Sequence, residues 1–376
     1  MLYFKIDYDG NPDPSTGDQG GNYTSTAPPF WDNNSLWLVG GPSQTSVNVN
    51  NQVQVKTRVT NNGDNQVGAV HIQAWVFQPF VGLTQPGKAI TALHETNGLP
   101  DGSLISFSGS LANLAHGSGA DVPDPHVAIA GTPTGSGYWG ASQQELDTYG
   151  GHLCIVANVY TSQEGKLLNT EDYFATTSYV DSNGVTQPRD GHHGQRNIAL
   201  LPSAQPKQVM GFQVHPPLLQ GHPTLLDIHA LGSVGIGAGE RWLLQSRANV
   251  TKINNRQFVI PGLRGKPATP LSYSRKGLQG TLNLERFGEI DLAEASKATK
   301  TALKRSDGAM KVPFSTRNDG ARIRLESLAE SQTATITLQR DDAKGSMQAF
   351  DIVQRTEDGQ ILGGLRMLSL VTGDLD

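Results

Sequence analysis

Apolar residues recur at a period near two along much of this chain, the signature of strands that bury one face. Val47, Val49, Val53, Val55 and Val59 alternate with polar neighbours, and Asn61-Asn-Gly-Asp64 follows as a turn. Ala69 to Phe77 then alternates again, with Val70, Ile72, Ala74 and Val76 on one side. The short Asn-Gly connection predicts that these two strands lie side by side as a β-meander. Ser35 to Val39, Gly151 to Tyr160, Tyr173 to Val180 and Arg196 to Leu201 read as further strands, with a turn at Asp181-Ser-Asn-Gly184.

The second half repeats the pattern more cleanly. Val209–Val214, Thr224–His229, Arg241–Leu244, Gln257–Ile260, Ala321–Leu328, Thr333–Arg340, Ala349–Arg355 and Gln360–Val371 all read as strands, and Asp319-Gly320 and Asp358-Gly359 as hairpin turns. One segment carries a helical signal, residues 291–305: Asp291 caps it, Glu294 completes a capping box, and Lys304 and Arg305 favour its C-terminal end. Between the strand regions lie turn formers. Residues 8–30 form an extended arm, residues 79–150 a glycine- and proline-rich insertion with few convincing strands, and Pro202-Ser-Ala-Gln-Pro206 a linker. The expected fold is therefore all-β: an arm over 1–34, a β-sandwich over 35–201 with the insertion 79–150, a linker over 202–206, and a second sandwich over 207–376 that carries the short helix. Each sandwich is immunoglobulin-like or jelly-roll-like.

Composition sharpens this picture. The 376 residues include 43 Gly and 21 Pro and only 17% charged residues, which excludes a long helical bundle or coiled coil. Residues 1–205 hold 7 Lys and Arg against 17 Asp and Glu, whereas residues 206–376 hold 22 against 17. Of the 25 aromatic residues, 18 precede residue 206. An acidic, aromatic-rich half beside a mildly basic one suits two modules with different surfaces, and also electrostatic docking between copies as a homo-oligomer. The single cysteine, Cys154, sits in an apolar strand and forms no intramolecular bridge. No run approaches the length of a membrane span. Met1 to Asp7 is too short, and lacks the basic start, for a signal peptide. The expected location is extracellular or surface-associated without a recognisable signal peptide, or cytoplasmic.

Candidate chemistry is sparse. Asp7, Asp9 and Asp13 bring three carboxylates into one loop, an arrangement that suits calcium but lacks the remaining spacing and distal Glu of an EF-hand, so that a solvated acidic turn is the simpler reading. His192 and His193 are the best transition-metal candidates, with Asp190 to orient one ring; adjacent strand residues serve one ion only on a bent loop. His215, His222 and His229 fit no zinc spacing. There is no nucleophile elbow and no phosphate loop, and the basic residues between Arg241 and Lys276 are too spaced for a nucleic-acid surface. Trp31, Phe80, Tyr138, Trp139 and Tyr149 stand out because rings in glycine-rich segments serve either a local core or a ligand surface.

Val49-Asn-Asn-Gln-Val-Gln-Val-Lys-Thr-Arg-Val-Thr-Asn-Asn-Gly63, followed by the alternating run Val67 to Val76, resembles the immunoglobulin-like, CARDB-type adhesion modules of bacterial surface proteins. The resemblance covers about 30 residues and implies a seven-stranded sandwich acting as scaffold or binding module; the insertion at 79–150 departs from it. The combined expectation is a non-catalytic binding or structural protein, adhesin-like or part of a surface or phage-like assembly, that meets a protein partner or glycan through the aromatic loops of its first half. Two alternatives stay open. One is a carbohydrate-active enzyme or its carbohydrate-binding accessory module, using Trp31, Trp139, Asp121, Asp124 and Glu145. The other is a metal-binding protein centred on His192 and His193.

Overall fold

The structure, a computed structural model, describes residues 2–4, 30–33, 35–39, 54–61, 64–90, 104, 106–115, 117–121, 147–188, 190–203, 207–218, 222–231, 251–254, 257–260, 269–270, 272–273, 279–285, 304–306, 309–315, 321–325, 330–339 and 344–372. The expectations for Val47, Val49 and Val53, for Arg241–Leu244, for the Asp319-Gly320 turn and for nearly all of the 291–305 helix lie outside them. The last two residues of that helix, Lys304 and Arg305, belong instead to a strand, Lys304–Ser306, paired antiparallel with Ala309–Ser315.

The fold is all-β, as the alternation predicts. In the first sandwich one sheet is ordered Leu2–Tyr3, Gln54–Asn61, Leu36–Val39, with Gly119–Asp121 also paired to Gln54–Asn61. The other is ordered His193–Arg196, Cys154–Thr161, Val70–Phe77, Ser106–Leu111. The two strands expected to form a meander thus sit in opposite sheets. Val55 and Val59 face Val70, Ile72, Ala74 and Val76 across a shared core, so the alternation was read to the correct faces but the connection crosses the sandwich. Eight residues separate Asn61 from Val70, enough chain to span the roughly 10 Å between packed sheets. Two stretches of the expected insertion, Ser106–Leu111 and Gly119–Asp121, are edge strands of these sheets, which the glycine-rich sequence concealed.

The sheet containing Cys154–Thr161 is buried on both faces, which accounts for its unbroken apolar run. On its outer side Trp75, Phe77, Phe80, Cys154, Val156 and Phe174 form a second cluster beneath residues 162–190. That overlying segment is pinned to the sheet by side-chain amides. Gln73 Oε1 accepts from Leu168 N at 3.0 Å and from Asn158 Nδ2 at 3.0 Å, and Asn158 Nδ2 also donates to Lys166 O at 2.7 Å.

The second sandwich has one sheet ordered Ile198–Ser203, Ile361–Val371, Ser346–Thr356, Thr224–Leu231, Ala321–Leu325. Its facing sheet is ordered Lys304–Ser306, Ala309–Ser315, Gln279–Glu285, Gln332–Gln339, Lys207–Val214, Phe80–Val81. Between them Leu226, Ile228, Ile323, Phe350, Ile352 and Leu365 pack against Met210, Phe212, Val214, Leu282, Ile336 and Leu338. Two strands tie the halves together. Phe80–Val81, from the expected insertion, pairs parallel with Gln213 and Val214. Ile198–Ser203 pairs parallel with Arg366 to Val371, so Pro202 and Ser203 of the expected linker are strand residues.

Candidate functional site

The two sandwiches meet along a tightly packed seam. Gly82, with φ +96°, lies against Gly363 so closely that a Cβ on Gly363 would sit 2.4 Å from Gly82 O. A Cβ on Gly364 would meet the Trp31 ring at 2.5 Å. Trp31 is fully buried, in edge contact with Phe30 at 4.9 Å and packed with Val353. Phe80 is buried as well, against Phe77 and the His215 ring. Both rings were expected at a ligand surface; they serve instead as packing between the halves, because each fills space left by glycines or by an edge of the facing sheet. Tyr149 is also buried, and its hydroxyl accepts from Gln213 Nε2 at 2.7 Å. Tyr138 and Trp139, like Asp7, Asp9 and Asp13, lie outside the described residues.

Polar groups complete the seam. Arg366 grips Asp351 with both prongs, at 2.8 and 3.0 Å, and reaches Asp32 at 3.3 Å; all three side chains are buried. Asn197 Nδ2 donates to Gly364 O at 2.8 Å and also to Phe80 O. Arg196 donates to Leu36 O at 2.8 Å.

His192 and His193 do not converge. His192 Nδ1 meets Asp190 Oδ1 at 2.5 Å and its Nε2 faces Glu164 at 3.5 Å, within a cluster completed by Lys166, 2.7 Å from Asp190. Burial pushes the Asp190 carboxyl up, but hydrogen bonds from His192 and Lys166 outweigh it and hold the group far below the usual carboxylate range. His193 turns the other way, beside Phe174, where its Nδ1 accepts from Ala175 N at 2.8 Å; that lone pair is committed. Burial lowers its pKa to about 4. Among the described residues no three His, Cys, Asp or Glu side chains form a group that holds a metal ion. The metal expectation for this pair is corrected on geometry, since the two rings face different neighbours. Burial raises the Cys154 thiol well above its ordinary value, so it remains protonated.

Immediately beyond the seam the halves part around a cleft of about 950 Å³. One wall comes from Leu83, Thr84 and Gln85, which follow Phe80–Val81, and the opposite wall from Gln213, His215 and Ser331 of the second sandwich. A third side is formed by Tyr173, Tyr179 and Asp181 of the segment overlying the first sandwich. That segment is docked by backbone: Phe174 N donates to Thr84 O at 3.1 Å, Gly87 N to Thr170 O at 2.9 Å, and Gln85 Nε2 to Glu171 O at 2.7 Å.

The cleft mixes polar groups with the apolar side chains of Leu83, Pro216, Pro217 and Leu218, and carries little charge. The two tyrosine rings lie 6.0 Å apart at 49°. Burial raises both phenols, reinforced by Glu171 beside Tyr173 and by Asp181 beside Tyr179, so both remain protonated. Asp181 is committed to its own turn: Oδ1 accepts from Asn183 N at 2.9 Å and Val185 N at 3.0 Å, and Oδ2 from Gln187 Nε2 at 2.7 Å. Those bonds, from Val185 first and then Gln187, lower its pKa and hold it ionised. His215 Nδ1 pairs with Ser331 Oγ at 2.7 Å, and burial lowers its pKa to about 4, leaving it neutral. Gln213 Nε2 joins the walls by reaching Tyr149, Thr333 and Gln78 at 2.7, 2.9 and 3.3 Å. Thr84 is 97% buried, and its Oγ1 has no hydrogen-bond partner among the described residues. A hydroxyl in that state is costly unless something else satisfies it.

None of these cleft residues stood out in the sequence as a site. Tyr173 and Tyr179 read as strand residues, and His215 as one of a spaced histidine series. The one local signal was the Asp181-Ser-Asn-Gly184 turn, which sets a ring two residues before a built corner.

No protein-family model matches this chain, and no curated protein matches it. Among solved structures it is similar to the partial N-terminal region of an enterococcal surface protein, at 8% identity and a TM-score of 0.22, covering 90% of this chain and 93% of that one. It is also similar to the collagen adhesin of S. aureus, at 5% identity and a TM-score of 0.16, covering 89% and 91%. Both neighbours are bacterial surface proteins, and at these scores no residue correspondence is drawn.

Proposed function

We propose that this chain is a non-catalytic binding protein of the adhesin kind, which takes its ligand in the cleft between its two sandwiches. The observation that carries this reading is the cleft itself: its volume lies at the upper end of the roughly 300–1,000 Å³ typical of ligand sites, and its lining presents the half-exposed rings of Tyr173 and Tyr179 beside glutamine side chains. The cleft is also pre-formed. Its walls are fixed to both sandwiches by the Phe80–Val81 pairing and by the Gln213 junction, so little ordering accompanies binding. The carboxylate most embedded in its lining, Asp181, is saturated by three N–H donors and has no proton to deliver, which disfavours a glycosidase-type acid at that position.

The test is an array of glycans and extracellular-matrix proteins probed with the full chain, beside Glu330→Trp at the exposed rim of the cleft and His71→Ala, which is remote from it. Binding retained by His71→Ala and abolished by Glu330→Trp supports the reading. Binding indifferent to Glu330→Trp, or no binding to any array member, overturns it.

A further inference from the structure

Resting on that reading of the cleft, we infer that its ligand class is an uncharged polysaccharide chain, held by stacking on Tyr173 and Tyr179 and by hydrogen bonds to the carboxamides and hydroxyls around them.

Charge argues first. Among the lining residues Lys88 is the single cation, and Asp181 and Glu330 are the acids. Asp181 already shares its charge among three N–H groups, and both phenols and the His215 imidazole are neutral. A polyanion brought here would find one lysine to pair with, and a polycation would find Glu330 and a saturated Asp181. Burying unpaired charge is costly, so a neutral ligand is selected by exclusion of the charged ones.

Hydrogen-bonding type argues next. Four glutamines, Gln78, Gln85, Gln187 and Gln213, line the cleft together with Thr84 and Ser331. Gln85, Gln187 and Gln213 already give an N–H to protein partners, and Ser331 pairs with His215. A carboxamide or hydroxyl nonetheless both donates and accepts, and the Gln85 and Gln187 amides each have a second N–H and a carbonyl oxygen. Sugar hydroxyls likewise donate and accept, so one hydroxyl can receive from an amide and give to the next group without a fixed polarity.

Shape supplies the third argument. Two protonated tyrosines at 6.0 Å and 49° make a bent aromatic platform, whose rings suit the C–H faces of consecutive pyranose units. Such a platform adds contact area while its hydroxyls remain available to polar neighbours.

The experiment is affinity electrophoresis of the full chain through gels containing hydroxyethylcellulose, mannan or arabinogalactan as neutral probes. Polygalacturonate serves as the anionic probe and a polyproline peptide as the protein-like one. The expected result is retardation by a neutral polysaccharide. Tyr173→Ala or Tyr179→Ala should weaken it at least tenfold, while the corresponding Tyr→Phe changes, which keep the rings, stay within about threefold. Circular dichroism melts of the same variants separate loss of binding from loss of fold; if the alanine variants melt early, Tyr173→Leu and Tyr179→Leu, which keep apolar bulk without an aromatic face, are compared with the Tyr→Phe changes and decide. Retardation only by polygalacturonate or polyproline, sensitive to Glu330→Trp, overturns the neutral-glycan inference and leaves the cleft as the binding site. Retardation by a neutral polysaccharide that Glu330→Trp and both tyrosine variants leave unchanged overturns both. No retardation by any probe overturns this inference, and the protein array then decides the cleft by itself.

Discussion

The two sandwiches meet in two ways only a few residues apart, and the contrast between seam and cleft is instructive. At the seam the backbones touch through Gly82 and Gly363, every large ring is buried, and the Arg366 charge is matched by Asp351 and Asp32. At the cleft, reached within two residues at Thr84, the backbones separate, the rings are half exposed, and a hydroxyl has no partner among the described residues. The same pair of surfaces thus closes on itself in one place and stands open in the next. Closure is achieved with glycine, asparagine and a buried ion pair; opening is lined with tyrosine and glutamine.

Four measurements break or sharpen this contrast. Arg366→Ala strips the seam of the cation that faces two buried carboxylates, and is expected to cost about 3–5 kcal/mol in urea unfolding, because two buried charges lose their partner. A loss below about 1 kcal/mol would mean that water reaches Asp351 and that the seam is wet.

Acid comes second. The pKa values of His193 and His215 lie at about 4 in the fold against 6.5 ordinarily, so the unfolded chain binds more protons between those values. Stability is therefore constant above about pH 6.5 and falls as pH drops toward 4, by on the order of 3 kcal/mol for each histidine. Asp190, held low, contributes stability that is lost only as pH falls below its ordinary value of 3.8, a separate and more acidic step. Thermal melts across pH 3–8, with His193→Gln and His215→Gln flattening the upper step, check this ordering.

Third, Gly363→Ala forces a methyl against the Gly82 carbonyl, nitrogen and carbon, which are backbone and cannot rotate away; a cost of about 1–3 kcal/mol is expected, read as a lower thermal midpoint. Last and smallest, Thr84→Val in the cleft wall should leave unliganded stability within about 0.5 kcal/mol or raise it, since the hydroxyl makes no bond to the described protein. A marked loss would assign Thr84 to the seam side of the contrast.

Much of the fold is written in local alternation. The strands at Thr224, Gln332, Ser346 and Ile361 begin within about three residues of where the pattern sets them: Gln332–Gln339 alternates buried with partly buried positions, while Ser346–Thr356 and Ile361–Val371 are central strands buried on both faces over nine residues. Ser106–Leu111 was illegible for the opposite reason: serine and glycine suffice at an edge that packs little. The opposite-sheet placement of Gln54–Asn61 and Val70–Phe77 was equally hidden, since a period of two fixes which residues face the core but not which strand lies alongside. The aromatic signal misled in an orderly way. Trp31 and Phe80 lie in glycine- and proline-rich segments because they cross between sandwiches, whereas the cleft tyrosines sit in a segment that looked regular. The cleft itself joins Thr84, Tyr173, Tyr179, Gln213 and His215, and no local window contains that grouping.

The strand Ile198–Ser203 begins two residues after His193–Arg196 ends, and the two belong to different sandwiches. A pull applied to one half therefore reaches the other without a slack tether to take it up. Along Ile198–Ser203 the load falls on a parallel ladder of six residue pairs held in shear, backed by the Arg366 clamp behind it. For the polymer ligand proposed for the cleft, this geometry would act as a rigid coupling, passing tension from the cleft into the second sandwich along the ladder.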